Sequence, residues 1–388
     1  MAIDKVLSKP IEAGLVPGVV AVAADDSGVI YEGAFGRRAV GSTAPMTLDS
    51  VFRIASMTKA ITGTAAMQLV EKGRIGLEQP MGDVLPLVRD VKVLEGFDGD
   101  GTPRLRDPKT PVTFRHLLTH TAGYGYDIFN PDLARYVQIA GLPSILSRKN
   151  DALRVPLLFD PGFGWEYGIG LDLVGKVIEE VTGEDLESYF RRHILDPLGM
   201  RDTGFLLRND MARRLVGTHM RGPDGKPIAI SIEPMEEAEF HTGGAGLFST
   251  APDYVTFTRM LLAGGALDGV EVLKPETVKL MARNAIGDLN VPMVRSNNPA
   301  LALEVETFPG QVKKWGLTFL INTKDIEGFR SAGNLTWGGV HNTYFWIDLE
   351  KRITAVALMQ ILPIGDPHVQ ETMIGFERAL YTAIASIA

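Results

Sequence analysis

Strand-like segments lie near both ends of this chain, and the long region between them has the pattern of helices. Residues 18–35 contain two short runs rich in Val, Ile and Ala around a turn, which predicts a β-hairpin near a sheet edge. Near the other end, strand-like runs lie at 315–322, 340–348 and 353–360, and an amphipathic helix is predicted at 369–387. The two ends are therefore expected to share one sheet, with the helical region inserted between them.

This arrangement predicts an α/β chain of the α+β type with two parts. Residues 1–60 and 235–388 would together form an α/β domain, and residues 61–234 a mainly helical domain, with the active site at the junction. The length of 388 residues agrees with two structural units. Within the helical region we expect long loops, such as the Gly- and Pro-containing segment 98–111.

The composition excludes several classes of function. The chain has no cysteine, which removes disulfides, thiolate catalysis and cysteine-ligated metals. Its net charge is −8 and it has no Lys/Arg-rich run, which argues against nucleic-acid binding. The sequence has no apolar run long enough to span a bilayer, and the amino terminus lacks an apolar stretch of signal-peptide length. We therefore expect a cytoplasmic protein that acts on a small molecule and binds neither nucleic acid nor membrane.

The tetrapeptide SMTK, from Ser56 to Lys59, could carry nucleophilic chemistry. A helix is predicted to begin at Ala55 and to end at Gly73, so Ser56 and Lys59 would project from one helix face. A serine hydroxyl needs a neighbour that accepts its proton, and a lysine can do so when burial lowers its pKa. Free N–H groups at the helix start favour negative charge, so the Ser56 N–H is a candidate oxyanion donor. The pattern arises often by chance and needs support from elsewhere.

Two downstream segments supply that support. PGFGWEYGIG, residues 161–170, is a turn-rich loop that presents Tyr167, whose phenol could relay a proton from Ser56 to a leaving group. TWGGV, residues 336–340, places small residues at the start of an apparent strand, where backbone can approach a substrate closely. The Val340 N–H is therefore the second candidate oxyanion donor.

These segments belong to a series of motifs with a familiar order. The blocks are SMTK (56–59), LLTHTAGY (117–124), PGFGWEYGIG (161–170), DPLGM (196–200), GGAGLFST (243–250) and WGG (337–339). From Pro17 to the last helix, the chain resembles the superfamily of serine β-lactamases and penicillin-binding proteins, and most closely the family VIII carboxylesterases, relatives of class C β-lactamases. The resemblance implies a β-lactamase-like fold, an antiparallel sheet flanked by helices. It also implies that Ser56 is the nucleophile, Lys59 its basic partner and Tyr167 the general base and acid.

Two positions depart from the pattern of class C β-lactamases. Ile169 stands in place of the Asn of Tyr-x-Asn, and Trp337 in place of the Lys of Lys-Thr-Gly. Isoleucine cannot hydrogen-bond an amide side chain of a lactam, and tryptophan cannot attract the carboxylate of such antibiotics, so both changes favour neutral esters. The expected substrate-binding residues are Trp337, Gly338, Gly339 and Ile169, with Tyr124 and Tyr126 at the pocket entrance.

Other catalytic patterns are weaker. His116 and His120 have the spacing of one helix face, but Leu117 stands where a metalloprotease needs Glu. We therefore predict no metal site and expect His120 to form a structural hydrogen bond. No serine has glycine both two residues before and two residues after it, so the nucleophile elbow of a Ser-His-Asp hydrolase is absent.

The sequence therefore predicts a serine carboxylesterase that hydrolyses short-chain or aryl esters through an acyl-enzyme on Ser56 and needs no cofactor. A β-lactamase, a D-amino-acid peptidase and an acyltransferase on the same scaffold are the open alternatives. Outside enzymes, the alternative is a catalytically silent ligand-binding homologue, against which the intact set of Ser56, Lys59 and Tyr167 argues.

Overall fold

The computed structural model describes residues 2–231, 238–304 and 306–386. Its helices are α1 (Ala2–Glu12), α2 (Thr58–Glu71), α3 (Pro86–Arg89), α4 (Phe114–Thr119), α5 (Pro131–Ala140), α6 (Gly170–Thr182), α7 (Leu186–Phe190), α8 (Asn209–Ala212), α9 (Ala251–Leu262), α10 (Pro275–Met281) and α11 (Pro367–Ala385). Its strands are β1 (Gly18–Asp25), β2 (Val29–Gly36), β3 (Phe52–Arg53), β4 (Val93–Phe97), β5 (Pro103–Arg106), β6 (Thr218–Arg221), β7 (Pro227–Ile230), β8 (Phe248–Ser249), β9 (Ala266–Leu267), β10 (Val270–Glu271), β11 (Lys313–Trp315), β12 (Leu320–Asn322), β13 (Leu335–Gly339), β14 (Thr343–Asp348), β15 (Ile353–Leu358) and β16 (Ile361–Leu362). None of the described helices combines the length and the apolar character that a membrane span needs.

The two ends of the chain share one antiparallel sheet, as predicted. Among the described residues it has seven strands in the order β11-β12-β13-β14-β15-β1-β2. Every neighbouring pair is antiparallel. The predicted hairpin is formed by β1 and β2, and β2 lies at the sheet edge. The predicted class, an antiparallel sheet flanked by helices, is confirmed.

Helices cover both faces of this sheet because its central strands are apolar on both sides. On β1, Val20 belongs to the larger buried cluster and Val19 to a smaller one on the opposite face. The smaller cluster also contains Leu7 of α1 and Phe376 of α11, so these two helices cover this face of the sheet. On the other face, α9 packs against β1, β14 and β15. A strand buried on both faces has a continuous apolar sequence, which is what the residues of β1 show.

The larger cluster continues from the sheet into the helical region. It includes Val20 of the sheet, Ile61 of α2 and Val177 of α6, and α2 is buried along almost its whole length. α6 packs against both α2 and α4. The start of α2 is therefore held between the sheet and the inserted helices. The division into domains at residues 60 and 234 stays a prediction.

The segment predicted as a loop at 98–111 contains a strand. β5 pairs with β4 in an antiparallel hairpin. The run DGDG at 98–101 forms the turn, in which the Gly101 N–H donates to the Asp98 carbonyl at 2.9 Å and the Asp98 N–H to the Thr102 carbonyl at 2.9 Å. Asp-Gly pairs are typical of hairpin turns, so the sequence did carry the signal.

Two predicted strands are interrupted by tight turns. The run 315–322 is divided into β11 and β12, and the Gly316 N–H donates to the Phe319 carbonyl at 2.8 Å within the turn. The strand predicted at 340–348 is present as β14 but begins only at Thr343, because Val340 lies in the turn between β13 and β14. Each turn is flanked by apolar residues, so hydrophobic periodicity alone does not reveal it.

Candidate active site

Ser56 lies in a short turn that is held from several sides. The turn is a single 3₁₀ turn, Ala55–Met57, between β3 and α2, so Ser56 precedes the α-helix by two residues. Ala55 has a φ of +46°, a left-handed conformation that costs energy for any residue but glycine. The Ile54 carbonyl accepts hydrogen bonds from the Met57 N–H and from the Thr343 hydroxyl, each at 3.1 Å. These contacts fix the backbone of the turn that carries Ser56.

The end of β13 comes into close contact with this turn. A Cβ atom on Gly339 would lie 2.3 Å from the Ile54 carbonyl oxygen and 3.1 Å from the Ala55 Cβ, so only glycine fits there. The next residue, Val340, lines the same cavity as Ser56. In the described turns and loops, no backbone hydrogen bond uses the Val340 N–H, which leaves it free for a ligand.

The three residues predicted to be catalytic meet at the Ser56 hydroxyl. Ser56 Oγ accepts a hydrogen bond from the Tyr167 hydroxyl at 2.7 Å and lies 3.2 Å from Lys59 Nζ, within hydrogen-bond distance. Lys59 is one helical turn further along and is only 1% exposed, whereas Ser56 is half-buried at the cavity. The structure therefore places a nucleophile between two groups that can exchange protons with it.

His120 supports the loop that carries Tyr167. Its carbonyl accepts a hydrogen bond from the Glu166 N–H at 3.0 Å, and its Nδ1 accepts one from the Gly168 N–H at 3.4 Å. Burial and the charge of Lys59 lower the pKa of His120 well below its usual value, so the imidazole stays neutral and can accept. The block LLTHTAGY thus fixes the position of Tyr167 from outside the reacting groups.

The His116 and His120 pair does not share one helix face. His120 has a φ of +59° and ends α4 in the left-handed conformation. At the other end of α4, His116 Nδ1 accepts a hydrogen bond from the Thr113 N–H at 3.2 Å. In the part of the chain that the structure describes, no group of three or more His, Asp or Glu side chains could hold a metal ion.

Lys59 is also held from behind, by a network that the sequence analysis missed. Its Nζ donates to the Gly244 carbonyl at 2.7 Å and to the Tyr126 hydroxyl at 3.1 Å. Asp172, in the first turn of α6, accepts from the Tyr126 hydroxyl at 3.0 Å and from the Gly244 N–H at 2.9 Å. Burial raises the pKa of Asp172, while the charge of Lys59 and these two hydrogen bonds oppose the rise. Burial and the charge of Asp172 raise the pKa of Tyr126 well above its usual value.

A signal for Asp172 is present in the sequence. It lies in the apolar run that forms the buried face of α6, between Leu171 and Leu173, directly after the Tyr167 loop. Carboxylates are almost never fully buried without a partner, so one in such a run indicates a paired, internal group. Asp172 is 1% exposed.

A cavity of about 520 Å³ opens beside Ser56 and extends to α11. Its lining is mostly apolar and comes from segments before β11, from β13 and its turns, and from α11. The lining residues are Ser56, Phe129, Tyr167, Val294, Ala302, Leu303, Glu306, Thr307, Phe308, Pro309, Gln311, Leu320, Ile326, Phe329, Arg330, Thr336, Trp337, Gly338, Val340, Tyr344, Ile364, Gln370, Met373, Ile374, Glu377 and Arg378. Of the predicted substrate-binding residues, Trp337 and Gly338 are among them.

Trp337 contacts the reacting groups as well as the cavity. Its indole Nε1 donates a hydrogen bond to the Tyr167 hydroxyl at 3.2 Å, and the two rings lie 5.0 Å apart between centroids. Trp337 also packs against Trp315 in a T-shaped contact with 4.8 Å between the ring centroids. An indole N–H only donates, so the Tyr167 oxygen must accept here.

Four of the predicted substrate-binding residues do not line the cavity. Tyr124 and Ile169 are 2% and 1% exposed, and both belong to the larger core cluster rather than to the entrance. Tyr126 is turned toward Lys59, and Gly339 packs against the turn of Ser56. Apolar packing, the hydrogen bond to Lys59 or the contact with the Ser56 turn accounts for the position of each of the four, and their part in substrate binding stays a prediction.

The fold and the site both agree with one family of known proteins. The model of the family described as Beta-lactamase matches residues 3–378. The chain belongs to the beta-lactamase family. A seryl acyl-enzyme suits the arrangement of hydroxyl, amine and phenol around Ser56.

Individual relatives cover nearly the whole chain. The monacolin J acid methylbutanoyltransferase of Aspergillus terreus is 34% identical over 96% of this chain and 93% of its own. The lovastatin esterase of Penicillium rubens is 34% identical over 94% of each chain. The solved structure of unliganded simvastatin synthase from Aspergillus terreus superposes with a TM-score of 0.86, at 32% identity over 98% of this chain and 97% of that one. The chain is therefore a serine hydrolase or acyltransferase of the beta-lactamase family.

Proposed function

We propose that this protein is a serine carboxylesterase, similar to family VIII enzymes, that forms its acyl-enzyme on Ser56. The observation that carries the proposal is the pair of contacts at Ser56 Oγ, 2.7 Å from the Tyr167 hydroxyl and 3.2 Å from Lys59 Nζ. A silent binding protein would have no use for a strained turn that presents a hydroxyl to two proton-transfer groups.

In the proposed reaction, the proton of Ser56 passes to Lys59 as the bond from Oγ to the ester carbon forms. The carbonyl electron pair moves to the oxygen, which the N–H groups of Ser56 and Val340 would hold. When the intermediate collapses, the ester C–O bond breaks and Tyr167 protonates the leaving alcohol. A third transfer, from the Lys59 ammonium to the Tyr167 phenolate, restores both groups, so the net result is that the Ser56 proton is carried by the alcohol. Water then cleaves the acyl-enzyme by the reverse sequence.

The cavity favours a substrate that is bulky on one side of the ester. Its volume of about 520 Å³ lies in the range of pockets that enclose drug-sized ligands. A short-chain ester would leave most of it empty. The charges at its far end are partly compensated, because Arg330 and Glu377 form an ion pair at 2.7 Å. We therefore extend the substrate class from short-chain or aryl esters to esters with a large apolar alcohol or acyl group.

Trp337 favours an ester over a β-lactam. It provides no positive charge at its position, and its N–H is already donated to Tyr167. A carboxylate beside the reacting carbonyl would thus find no cation there. A β-lactamase and a D-amino-acid peptidase remain the weaker alternatives, and comparison of nitrocefin with simple esters separates them from the esterase.

Intact mass spectrometry tests the proposed nucleophile. After exposure to an alkyl phosphonate, the protein is expected to gain one adduct that peptide mapping places on Ser56, because phosphonates trap activated serines. Ser56→Ala is the control and should gain none. An unmodified wild-type protein that also fails to cleave p-nitrophenyl esters, or an adduct on another serine, would overturn the proposal.

Acyl transfer to an alcohol is a second candidate function. It is favoured because relatives of equal similarity are named as a methylbutanoyltransferase and as an esterase. The cavity also has room for an apolar acceptor beside the acyl group. Both activities share the acyl-enzyme and differ only in whether water or an alcohol accepts the acyl group.

The yield of new ester distinguishes the two. With a p-nitrophenyl ester as donor, we expect transfer to a bulky apolar alcohol to saturate with alcohol concentration and to exceed transfer to methanol about tenfold, which corresponds to ~1.4 kcal/mol of acceptor binding. Chromatography of the products provides the measurement. Transfer that rises linearly and equally with both alcohols would show a simple esterase.

A further inference from the structure

The hydrogen bonds around Ser56 form a row whose two ends have fixed directions. At one end is the Trp337 indole N–H, which can only donate, 3.2 Å from the Tyr167 hydroxyl. At the other end is the Asp172 carboxylate, which can only accept, 3.0 Å from the Tyr126 hydroxyl. The hydroxyls and the amine between these ends could each point either way, so the ends decide the direction of the whole row.

From the Asp172 end, the direction follows step by step. Because Tyr126 donates its single hydrogen to Asp172, its oxygen can only accept from Lys59, at 3.1 Å. The Gly244 carbonyl also only accepts from Lys59, at 2.7 Å. Two of the Lys59 N–H groups are thus committed. The remaining position of the nitrogen faces Ser56 Oγ at 3.2 Å, and in a neutral amine that position is the lone pair.

The other end gives the same result. Because Tyr167 accepts from Trp337, its own hydrogen is donated to Ser56 Oγ at 2.7 Å. The Ser56 hydrogen is thereby left to the Lys59 nitrogen 3.2 Å away, which can accept it when the amine is neutral. The Ser56 hydroxyl then faces the lone pair of the neutral Lys59 amine, which is the arrangement that proton transfer from Ser56 to Lys59 requires.

We propose that Asp172 is a positioning residue that turns the Lys59 lone pair toward Ser56 by fixing the direction of the Tyr126 hydroxyl. The inference rests on the proposed function, in which the Ser56 proton moves to Lys59 as the Oγ–C bond forms and the carbonyl pair moves to oxygen. The ammonium that results keeps its N–H groups on Tyr126 and Gly244 and directs the new one at Ser56 Oγ. Asp172 itself touches no reacting atom.

Burial strengthens this control of direction. Asp172, Tyr126 and Lys59 are 1%, 6% and 1% exposed, so water does not offer these groups alternative partners. The raised pKa of Tyr126 keeps its hydroxyl protonated and able to donate. The Gly244 N–H donates to the second oxygen of Asp172 at 2.9 Å and fixes the plane of the carboxylate.

Asp172→Asn reverses the row without changing its shape. The amide oxygen would accept from Gly244 and the amide nitrogen would donate to Tyr126, whose hydrogen must then turn toward Lys59 and occupy its lone pair. In a Ser-His-Asp triad, the same swap behind the base costs about 10⁴-fold. Here a tyrosine intervenes, so we expect the acylation rate to fall about 100-fold in stopped-flow measurements with a p-nitrophenyl ester.

The double variant Asp172→Asn/Tyr126→Phe tests whether Asp172 acts by orienting the Tyr126 hydroxyl or only by supporting the local structure. Removal of the misdirected hydroxyl frees the Lys59 lone pair, so acylation should recover about tenfold over Asp172→Asn alone and reach the rate of Tyr126→Phe. A structural role for Asp172 predicts instead that the double variant is no faster than Asp172→Asn. That outcome, or an Asp172→Asn rate within about threefold of wild type, would overturn the inference.

Asp253→Asn is the matched control. Asp253 is also a carboxylate in the first turn of a helix, α9; it is partly buried and accepts from the Asp202 N–H at 2.8 Å and the Thr203 hydroxyl at 2.9 Å. Its replacement should lower stability and leave the acylation rate unchanged. A loss of rate equal to that of Asp172→Asn would make the effect of Asp172 one of general destabilisation.

Neutron diffraction on the unliganded wild-type protein tests the direction without any activity. The expected result is a deuteron between Tyr126 and Asp172, bonded to Tyr126. A Tyr126 deuteron directed at Lys59 would overturn the inference even in an active esterase. A protein that shows the expected deuteron but forms no Ser56 adduct would overturn the proposed function and leave the direction of the row established.

Discussion

Replacement of Lys59 by methionine is expected to slow acylation of Ser56 by about 10⁴-fold, the upper range for loss of a positioned base. Methionine keeps an unbranched apolar chain, so the buried site stays filled. The Ser56 hydroxyl, however, loses its proton acceptor, and Tyr167 already accepts from Trp337 and donates to Ser56. The acylation rate with a p-nitrophenyl ester provides the measurement. A rate within tenfold of wild type would contradict the role given to Lys59.

The same substitution should make stability depend on pH through Asp172. Burial already raises the pKa of Asp172, and Lys59→Met removes the nearby positive charge that lowers this pKa. Between the unfolded pKa, about 3.9, and this raised value, the folded protein holds a proton that the unfolded chain has lost. The free energy of unfolding therefore falls as pH rises through that window, which extends to higher pH in Lys59→Met than in wild type.

Chemical denaturation at several pH values measures this slope. Lys176→Met is the matched control, because Lys176 lies on the same helix as Asp172, is partly buried and forms an ion pair with Glu179 at 3.1 Å. It should change neither the acylation rate nor the pH dependence. If both lysine variants gave the same slope, Asp172 could not be its source.

The sequence predicts this fold well where local patterns and pairing agree. The hairpin of β1 and β2 and the final helix follow from period and turn residues alone. Ser56, Lys59 and Tyr167 each lie in a recognisable sequence block, and the structure brings their side chains together. The sequence patterns do not predict the tight turns at Val340 and Gly316, because these turns interrupt apolar runs.

The rest of the site depends on contacts between distant segments. Asp172, Tyr126 and the Gly244 carbonyl meet only because α6 packs against α2 and carries its buried face to Lys59. Nothing local to Tyr126 tells an entrance residue from a buried hydrogen-bond partner. Only the folded chain shows which side of Lys59 it occupies.

Tyr167→Phe is expected to slow cleavage of alkyl esters by about 10³-fold, within the range for loss of a general acid. The substitution removes the hydroxyl that accepts from Trp337 and donates to Ser56. The ring at position 167 should stay in place, because the rings of His120 and Trp337 both pack against it, each with a centroid distance of 5.0 Å. Thermal unfolding should therefore be little changed. Tyr189→Phe is the control, since Tyr189 is buried and its hydroxyl has no partner within the described ranges.

The leaving group should decide the size of this loss. An alkyl alcohol cannot leave as its anion and needs the Tyr167 proton, whereas p-nitrophenol leaves as a stable phenolate without one. Tyr167→Phe should thus lose about tenfold less rate on p-nitrophenyl esters than on alkyl esters of the same acid. Lys59→Met should lose the same factor on both, because Lys59 acts on Ser56 before the bond breaks. If Tyr167→Phe lost the same factor on both esters, the phenol would act in the activation of Ser56 instead. It would then not be the acid that protonates the leaving alcohol.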